Sequence, residues 1–297
     1  MTGIICLDKP QGMTSFSAVK KASKLLGIKK AGHTGTLDPM ATGLLVVMLS
    51  GCTRFIELLP EHKKSYTAGV RLGITTDTLD ITGKVLSESE VRVSEAQLLS
   101  AAEKFTGDIL QTPPMYSALK KDGVRLYDMA RKGVEIQRES RKINIESLKI
   151  YNFNGTEFNM DVTCSAGTYI RSLCDDIGKE LRCGACLTDL RRTEANGFSV
   201  KNAVTLEQLE RLADDNNAES VIIPVEKALE AYGKITVTGA QARRFHNGGS
   251  LSCDRLNFRP EKGLYRVYSP ENKLLGIGEI TEEKVELAVK RVLVSDE

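Results

Sequence analysis

Tryptophan is absent from the 297-residue chain, and histidine occurs three times, at His33, His62 and His246. A metal site built from several imidazoles is therefore not expected, and tyrosine is left as the ring for stacking on a planar ligand. No segment approaches the ~18 consecutive apolar residues of a membrane span. Met1–Pro10 has neither a basic leader nor a long apolar core, so no signal peptide is expected. Several enzyme signatures are also missing. There is no G-x-x-x-x-G-K-S/T, which excludes a P-loop nucleotidase, and no G-x-S-x-G, H-E-x-x-H or G-x-G-x-x-G after a strand. Seven cysteines, an odd number without a secretory signal, read as reduced thiols of a cytoplasmic protein. Cys183-x-x-Cys186 stands alone, without a second such pair or a nearby His, so it supports neither zinc nor redox chemistry. The reacting group that remains is a carboxylate, a tyrosine or a cysteine.

What is present is a soluble globular composition, 41% hydrophobic and 27% charged, long enough for about two domains. The stretch that stands out is Gly-His-Thr-Gly-Thr-Leu-Asp-Pro, residues 32–39, followed by the apolar run Leu44–Leu49. Pro39 disfavours helix through Asp38, and the run suits a strand buried on both faces. The segment thus reads as a shaped polar loop holding one carboxylate at a sheet edge, with its glycines relaxing the backbone limits at their positions. A plain Asp-Pro turn fits the spacing equally well. The net charge of +2 is unevenly spread: residues 1–80 hold ten Lys/Arg against six Asp/Glu, and residues 201–230 hold three against seven. That is the direction of a polyanion-binding face, although a solvated surface gives the same count.

Along the chain, Gly3–Leu7 reads as a strand. Thr14-Ser15 caps a helix over Phe16–Leu26 whose apolar face is Phe16, Val19, Ala22, Leu25 and Leu26, with Gly27 as its stop. Cys52–Leu59 predicts a short helix, and Lys63–Gly73 a strand with Tyr66, Ala68, Val70 and Leu72 on one face. The polar turn Thr75–Gly83 carries Asp77 and Asp80, too few ligands for a hard-metal site. Ser94-x-x-Gln97 opens a helix to Phe105, and Leu126–Lys132 predicts another. Val134–Phe153 reads as a pair of strands and Phe158–Cys164 as one more. Thr168 is expected to cap a helix over Tyr169–Leu181, and a further helix covers Leu206–Leu212. From Gly233 the texture becomes short strands and turns (Ile235–Val237, Leu264–Tyr268 and Leu274–Ile280), giving a division at 1–232 and 233–297.

Asp38 is the best candidate nucleophile, since an ionised, desolvated Asp can attack covalently and a nearby Arg favours that form. Arg171, in the first turn of a helix after a strand, is placed to give such a charge through a two-pronged pair. Tyr66 and Tyr169 can each stack on a base. Taken singly, each residue also fits an ordinary structural role.

Lys9-Pro10-Gln11-Gly12-Met13-Thr14-Ser15, the Gly32–Pro39 motif, Lys64-Ser65-Tyr66, Gly167-Thr168-Tyr169-Ile170-Arg171 and Leu190-Arg191-Arg192-Thr193 occur in the order seen in TruB-type tRNA pseudouridine-55 synthases. Pro113–Lys120 with Leu126-Tyr127 resembles the same family. The matches span about residues 3–200, and the tail is similar to a short bacterial PUA-type RNA-binding domain. The resemblance implies an α+β pseudouridine-synthase fold, with a mixed, largely antiparallel central sheet flanked by helices and a small, mainly β C-terminal domain. It implies an isomerase acting on one uridine in the T-loop of tRNA, without metal or cofactor; since nothing in the sequence demands a partner chain, a monomer is expected, in the cytoplasm to which the cysteines point. By resemblance Asp38 is the nucleophile. Tyr66 packs on the flipped uridine and is a candidate base for the sugar proton. Tyr169 is a second base-contacting ring, Arg171 the partner of Asp38, Leu190 an apolar wall, and His33 the ring that replaces the extruded base. Asp80 is a candidate member of the Arg171 ion-pair network. The lysines at 20, 21, 24, 29 and 30, with Arg191 and Arg192, are expected to grip phosphates.

One departure is Cys186, where family members commonly carry His; it touches a secondary contact rather than the chemistry. The alternatives are a non-catalytic tRNA-binding or folding protein, and modification of a different RNA by the same chemistry. Both keep the basic face; the first does without Asp38, Tyr66 and Arg171 acting together.

Overall fold

The computed structural model describes residues 1–60, 62–256, 261–283 and 285–294. The chain opens with β1 (Gly3–Lys9) and α1 (Ser15–Leu25), whose first turn Thr14 caps by accepting from the Ser17 N–H. The buried stripe of α1 is Ser15, Ala18, Val19 and Ala22. Phe16 lies one residue, about 100°, off that stripe and is 73% exposed, so the expectation that it joins the apolar face is corrected. β2 (Ala31–His33) and β3 (Thr42–Leu49) flank the Gly-His-Thr-Gly loop, and a 3₁₀ helix rather than an α-helix covers Ser50–Leu58. Next come β4 (Lys64–Leu72), β5 (Ile74–Thr76) and β6 (Val85–Glu88), then α2 (Glu95–Glu103) with the Ser94–Gln97 capping box in place.

β7 (Gly107–Gln111) leads to the hairpin β8 (Lys120–Lys121) and β9 (Val124–Arg125), then to α3 (Leu126–Ala130). β10 (Arg141–Tyr151) is one long strand, not the expected pair within 134–153. No Gly or Pro interrupts that stretch, so the glycine that tight hairpin turns favour is missing. β11 (Glu157–Cys164) and α4 (Ile170–Glu180) follow. Thr168 does not cap α4; its hydroxyl donates to Ser165 O, and Tyr169 is the N-cap without a side-chain bond. The chain continues through β12 (Ala185–Ala195), β13 (Phe198–Ser199), α5 (Leu206–Asp214) and α6 (Val225–Ala228).

The main sheet runs β1-β3-β12-β4-β11-β10-β7, with β2 beside β3 and β13 beside β12, nine strands in all. Its pairings are antiparallel except β3 with β12. α4 supplies Ile170, Leu173, Cys174 and Ile177 to a core with Ala68, Val70, Met160 and Leu187. β1 and β3 are covered on both sides, as the run Leu44–Leu49 predicted. Ile5, Leu7, Leu45 and Val47 pack under α1 and α5. Cys6, Leu44, Val46 and Met48 pack against Phe55, Val225, Tyr268 and Ile277.

The last two of those residues belong to a second sheet, β14 (Gly233–Thr236), β15 (Leu251–Ser252), β16 (Gly263–Tyr268), β17 (Leu274–Ile280) and β18 (Glu286–Val292), ordered β14-β16-β17-β18-β15. The sequence reading missed β18 and α7 (Gly239–His246), although the Thr238–Gln241 capping box of α7 was visible. Close fit joins the two sheets: a side chain at Gly51 would lie 2.0 Å from Val294 O, and the Tyr232 hydroxyl donates to Leu58 O at 2.6 Å.

Candidate active site

Strand alternation on β4 turns Tyr66 inward, and alternation on β12 turns Leu190 inward beside it. The loop ahead of β3 brings Asp38 to the same place. Ser15, the first residue of α1, clamps that loop by accepting from the Leu37 N–H at 2.7 Å and donating to Leu37 O at 3.0 Å. Gly12 N–H donates to Pro39 O at 2.7 Å, tying in the turn after β1. Gly43, with φ +97°, lets β3 approach β12; a Cβ there would lie 2.3 Å from Arg192 O. At Gly35 a Cβ would meet Lys64 Nζ at 2.8 Å. These two glycines therefore make room for the protein's own atoms.

Arg171 enters from the first turn of α4 and is 4% exposed. Its Nε lies 2.8 Å from Asp38 Oδ2 and 3.9 Å from Asp80 Oδ2. Nη1 donates to Thr78 O at 2.8 Å and Nη2 to Tyr116 O at 2.7 Å. The pair with Asp38 is thus single-pronged, because the other two nitrogens are spent on carbonyls. Asp80 is buried and held by Thr78 Oγ1, Thr82 N–H and Thr82 Oγ1 at 2.9, 3.0 and 2.5 Å, so its carboxylate closes a turn and joins the Arg171 network. Asp38 itself stays 35% exposed, held but open. Gln111 orients the start of α4, accepting from the Tyr169 N–H at 2.8 Å and donating to Tyr169 O at 3.0 Å.

Asp38, Tyr66, Tyr169, Arg171 and Leu190 line one cavity of about 230 Å³, with Thr36, Lys64 and Ser117. A second cavity of about 680 Å³ lies on the other side of the Asp38–Arg171 pair, walled by Gln11, Met40, Thr82, Tyr116 and Tyr127. Tyr116 and Tyr127 meet edge to face at 6.0 Å. The Arg141 guanidinium sits 5.1 Å over the Tyr169 ring. His33 lies at the end of β2 and lines neither cavity; its buried Nδ1 has no hydrogen-bond partner among the described residues. Burial, with the Arg192 and Lys64 charges nearby, pushes the His33 imidazole below its usual range and so favours a neutral ring.

Arg192 is fully buried. Its Nε donates to Leu44 O at 2.7 Å, Nη2 to Gly35 O at 3.0 Å and Nη1 to Thr36 O at 3.5 Å, and its charge acts on the nearby Tyr66 hydroxyl. Arg191, on the opposite face of β12, forms the bidentate pair with Asp8, at 3.0 and 2.7 Å. Neither is a free phosphate gripper as expected. Arg192 instead ties the motif loop, β3 and Tyr66 together. The signal was available: Leu190 and Arg192 share a strand face, so an inward Leu190 requires an inward Arg192. Burial raises the Tyr66 hydroxyl above the usual tyrosine range, and the Arg192 charge opposes that rise. Lys9, buried with its ammonium on Pro10 O and Met13 O, is lowered to about 8 by burial, with the Asp38 charge opposing. The lysines at 20, 21, 24, 29 and 30 are exposed, on and after α1. All seven cysteines, Cys186 among them, are buried and outside any disulfide among the described residues.

Residues 23–170 match the TruB family pseudouridylate synthase N-terminal domain, residues 171–230 the tRNA pseudouridylate synthase B C-terminal domain, and residues 233–293 the C-terminal region of pseudouridine synthase II TruB. A tRNA pseudouridine synthase B of Clostridium tetani is 43% identical over 95% of this chain and 97% of its own length. The chain belongs to the TruB family of pseudouridylate synthases. A second relative with the same name, from Stutzerimonas stutzeri, is 41% identical over all of this chain and 97% of its own. Among solved structures, a chain of a Cbf5-Nop10-Gar1 complex superimposes with a TM-score of 0.74 at 26% identity, covering 99% of this chain and 85% of that one. The TruB fold thus accounts for the mixed sheet and the C-terminal β unit. Of the six site residues that the resemblance named, five meet at one cavity and His33 stands apart.

Proposed function

We propose that this TruB-family chain converts a uridine of tRNA, at position 55 in the T-loop, into pseudouridine, with Asp38 as nucleophile. The observation that carries the reading is the single cavity in which Asp38, held by Arg171, faces Tyr66, Tyr169 and Leu190. The cavity has room for a nucleotide taken out of its stack, not for a folded loop. Flipping costs on the order of a few kcal/mol. A neutral His33 ring stacking into the vacated place offsets part of that cost. The N-glycosidic bond breaks, the uracil turns while Tyr66 and Leu190 hold it, and a carbon–carbon bond to the sugar forms. The base gains a proton on nitrogen and one leaves carbon, so the reaction is an isomerisation that needs no redox partner. Asp38 attacks with Arg171 fixing its orientation, and Tyr66 is the candidate base for the sugar proton.

The T-arm is the RNA element engaged, residues 1–232 form the catalytic unit, and residues 233–297 form a PUA-like RNA-binding unit. The chain acts as a monomer in the cytoplasm, and among the described residues no helix is long and apolar enough to cross a membrane. Incubating the purified protein with unmodified tRNA and mapping pseudouridine tests the reading. Conversion at position 55 is expected, and Asp38→Asn should bind tRNA yet lower the rate by at least about a thousandfold. Binding by the wild type without conversion would favour the non-catalytic tRNA-binding protein. Conversion of other RNAs alone would shift the substrate.

A further inference from the structure

The positive charge at the floor of the cavity exceeds what the protein's own carboxylates neutralise. Asp38 is matched with Arg171, and Asp80 lies on the same guanidinium. Lys64 lines the cavity on the other side, half-buried, at the first residue of β4. Among the described residues its ammonium makes no ion pair, and its charged neighbour is the fully buried Arg192. The two cations converge on one backbone position: a Cβ at Gly35 would lie 2.8 Å from Lys64 Nζ and 3.6 Å from Arg192 Nη1. Arg192 is satisfied by the carbonyls of Leu44, Thr36 and Gly35, with no carboxylate among them. The Cys164 thiol near Lys64 is pushed up to about 11, so it is neutral at physiological pH.

An unpaired, partly desolvated ammonium beside a second cation is costly, and each charge depresses the other. Burial and Arg192 accordingly lower the Lys64 ammonium below the usual lysine range. An anion entering the cavity relieves both penalties. Of the parts of an RNA, bases and sugars are neutral and the phosphodiester alone carries an obligatory charge. Lys64, two residues before Tyr66 on the same strand face, presents its ammonium beside the ring that packs on the nucleotide.

We propose that Lys64 is the phosphate anchor of the cavity, its ammonium binding a backbone phosphodiester that flanks the target nucleotide, with Arg192 adding to the local field. The inference rests on the reading that the substrate is RNA. It assigns a role to a residue of the Lys-Ser-Tyr motif that neither the nucleophile nor the base-stacking rings explain. It also moves phosphate contact from the arginines of β12 to the strand beside them.

The test is a chemical double-mutant cycle with the full chain. Synthetic stem–loops would carry a neutral methylphosphonate at the linkage on either side of the target uridine, with a 2′-deoxy sugar before that linkage. Matched 2′-deoxy phosphodiesters serve as controls, and dissociation constants are measured at fixed salt. Lys64→Gln is expected to weaken binding of the control loop about ten- to a hundredfold. Neutralising one of the two linkages should weaken wild-type binding by a similar factor and leave Lys64→Gln unchanged. Lys64→Arg, which keeps the charge, should stay within about threefold of the wild type, and Lys64→Met checks the result with an apolar side chain of similar length; thermal melts confirm that each variant folds. Independent, multiplying losses at both linkages, or no loss at either, would overturn the phosphate anchor. Conversion of unmodified tRNA by the wild type, measured in parallel, separates the two readings. Conversion without coupling removes the anchor alone, whereas coupling without conversion removes the enzymatic reading and leaves the anchor.

Discussion

Around the nine-stranded sheet, Lys9, Asp80, Arg171 and Arg192 are buried, and between them they fix the motif loop, the turn over α4 and the tyrosine of β4. In the five-stranded sheet the core cluster includes Ile235, Val237, Phe245, Val267, Ile280 and Leu287, and the ion pairs Lys262–Glu282 and Lys290–Glu279 lie at the surface. Burying a charge is expensive unless every hydrogen bond is met, and an apolar core of the same volume is often as stable. The C-terminal sheet follows the inexpensive solution. The main sheet departs from it most around Asp38. Its buried charges are therefore read as positioning devices for that carboxylate and its cavity rather than as sources of stability.

If so, cutting one of those charges should do more damage than any surface change. Arg171→Met removes the cation shared by Asp38 and Asp80 and leaves Thr78 O and Tyr116 O without donors. A stability loss of about 3–5 kcal/mol is expected from urea titration, together with loss of turnover. A loss below about 1 kcal/mol would mean that the network is slack and the contrast between the sheets is only one of composition.

Tyr66→Phe sharpens the comparison from the other side, because it keeps the ring and deletes only the hydroxyl on which the Arg192 charge acts. Single-turnover rates should fall at least about a hundredfold while the dissociation constant for tRNA changes little. Should affinity fall while the rate per bound tRNA survives, Tyr66 is a binding residue and Arg192 positions a surface, not a reacting group.

How much of this was legible beforehand depends on the range of the interaction. Strand β3 was readable because both its faces demand the same apolar residues, and β4 because Tyr66, Ala68, Val70 and Leu72 alternate cleanly. Phe16 failed because helical spacing admits a stripe one residue over, and only the packing partner chooses between them. The Gly32–Pro39 motif marked Asp38 through the resemblance, while spacing alone left it level with a turn. Arg192 was misplaced because a charged side chain was assumed to face water, against the alternation that put Leu190 inside. The contact of Asp80 with Arg171 spans 91 positions of sequence and rests on the fold of the whole sheet, so no local pattern could establish it. The polar α7 was overlooked in a region that otherwise reads as strands, even though its capping box was present.

A milder departure from an apolar interior sits on α4 itself. Burial raises the Asp176 carboxyl to about 6, with Asp175 adding to the rise and Lys179 opposing it. Its folded value lies above the unfolded one of about 3.8, so the folded state holds the proton more tightly between those two values. Stability from this group is present below about pH 4 and lost as pH rises through about 6. Asp176→Asn should therefore gain on the wild type in melting temperature from pH 4 to pH 6 and keep a constant lead above that. A lead that stays flat across the whole range would show that the carboxyl is solvated.

The smallest effect is expected where the comparison makes its cheapest claim. Lys290 Nζ lies 2.7 Å from Glu279 Oε2 across β17 and β18, and both side chains are well exposed. Water and salt screen such a pair, and holding two long side chains together offsets much of the attraction. Lys290→Gln should change unfolding free energy by less than about 1 kcal/mol, and the difference should shrink further at 1 M salt. It removes a charge of the same sign as Arg171, so only burial and partners distinguish the two substitutions. If Lys290→Gln cost as much as Arg171→Met, the C-terminal sheet would also depend on its charges, and burial near Asp38 would no longer single out the residues that serve the cavity.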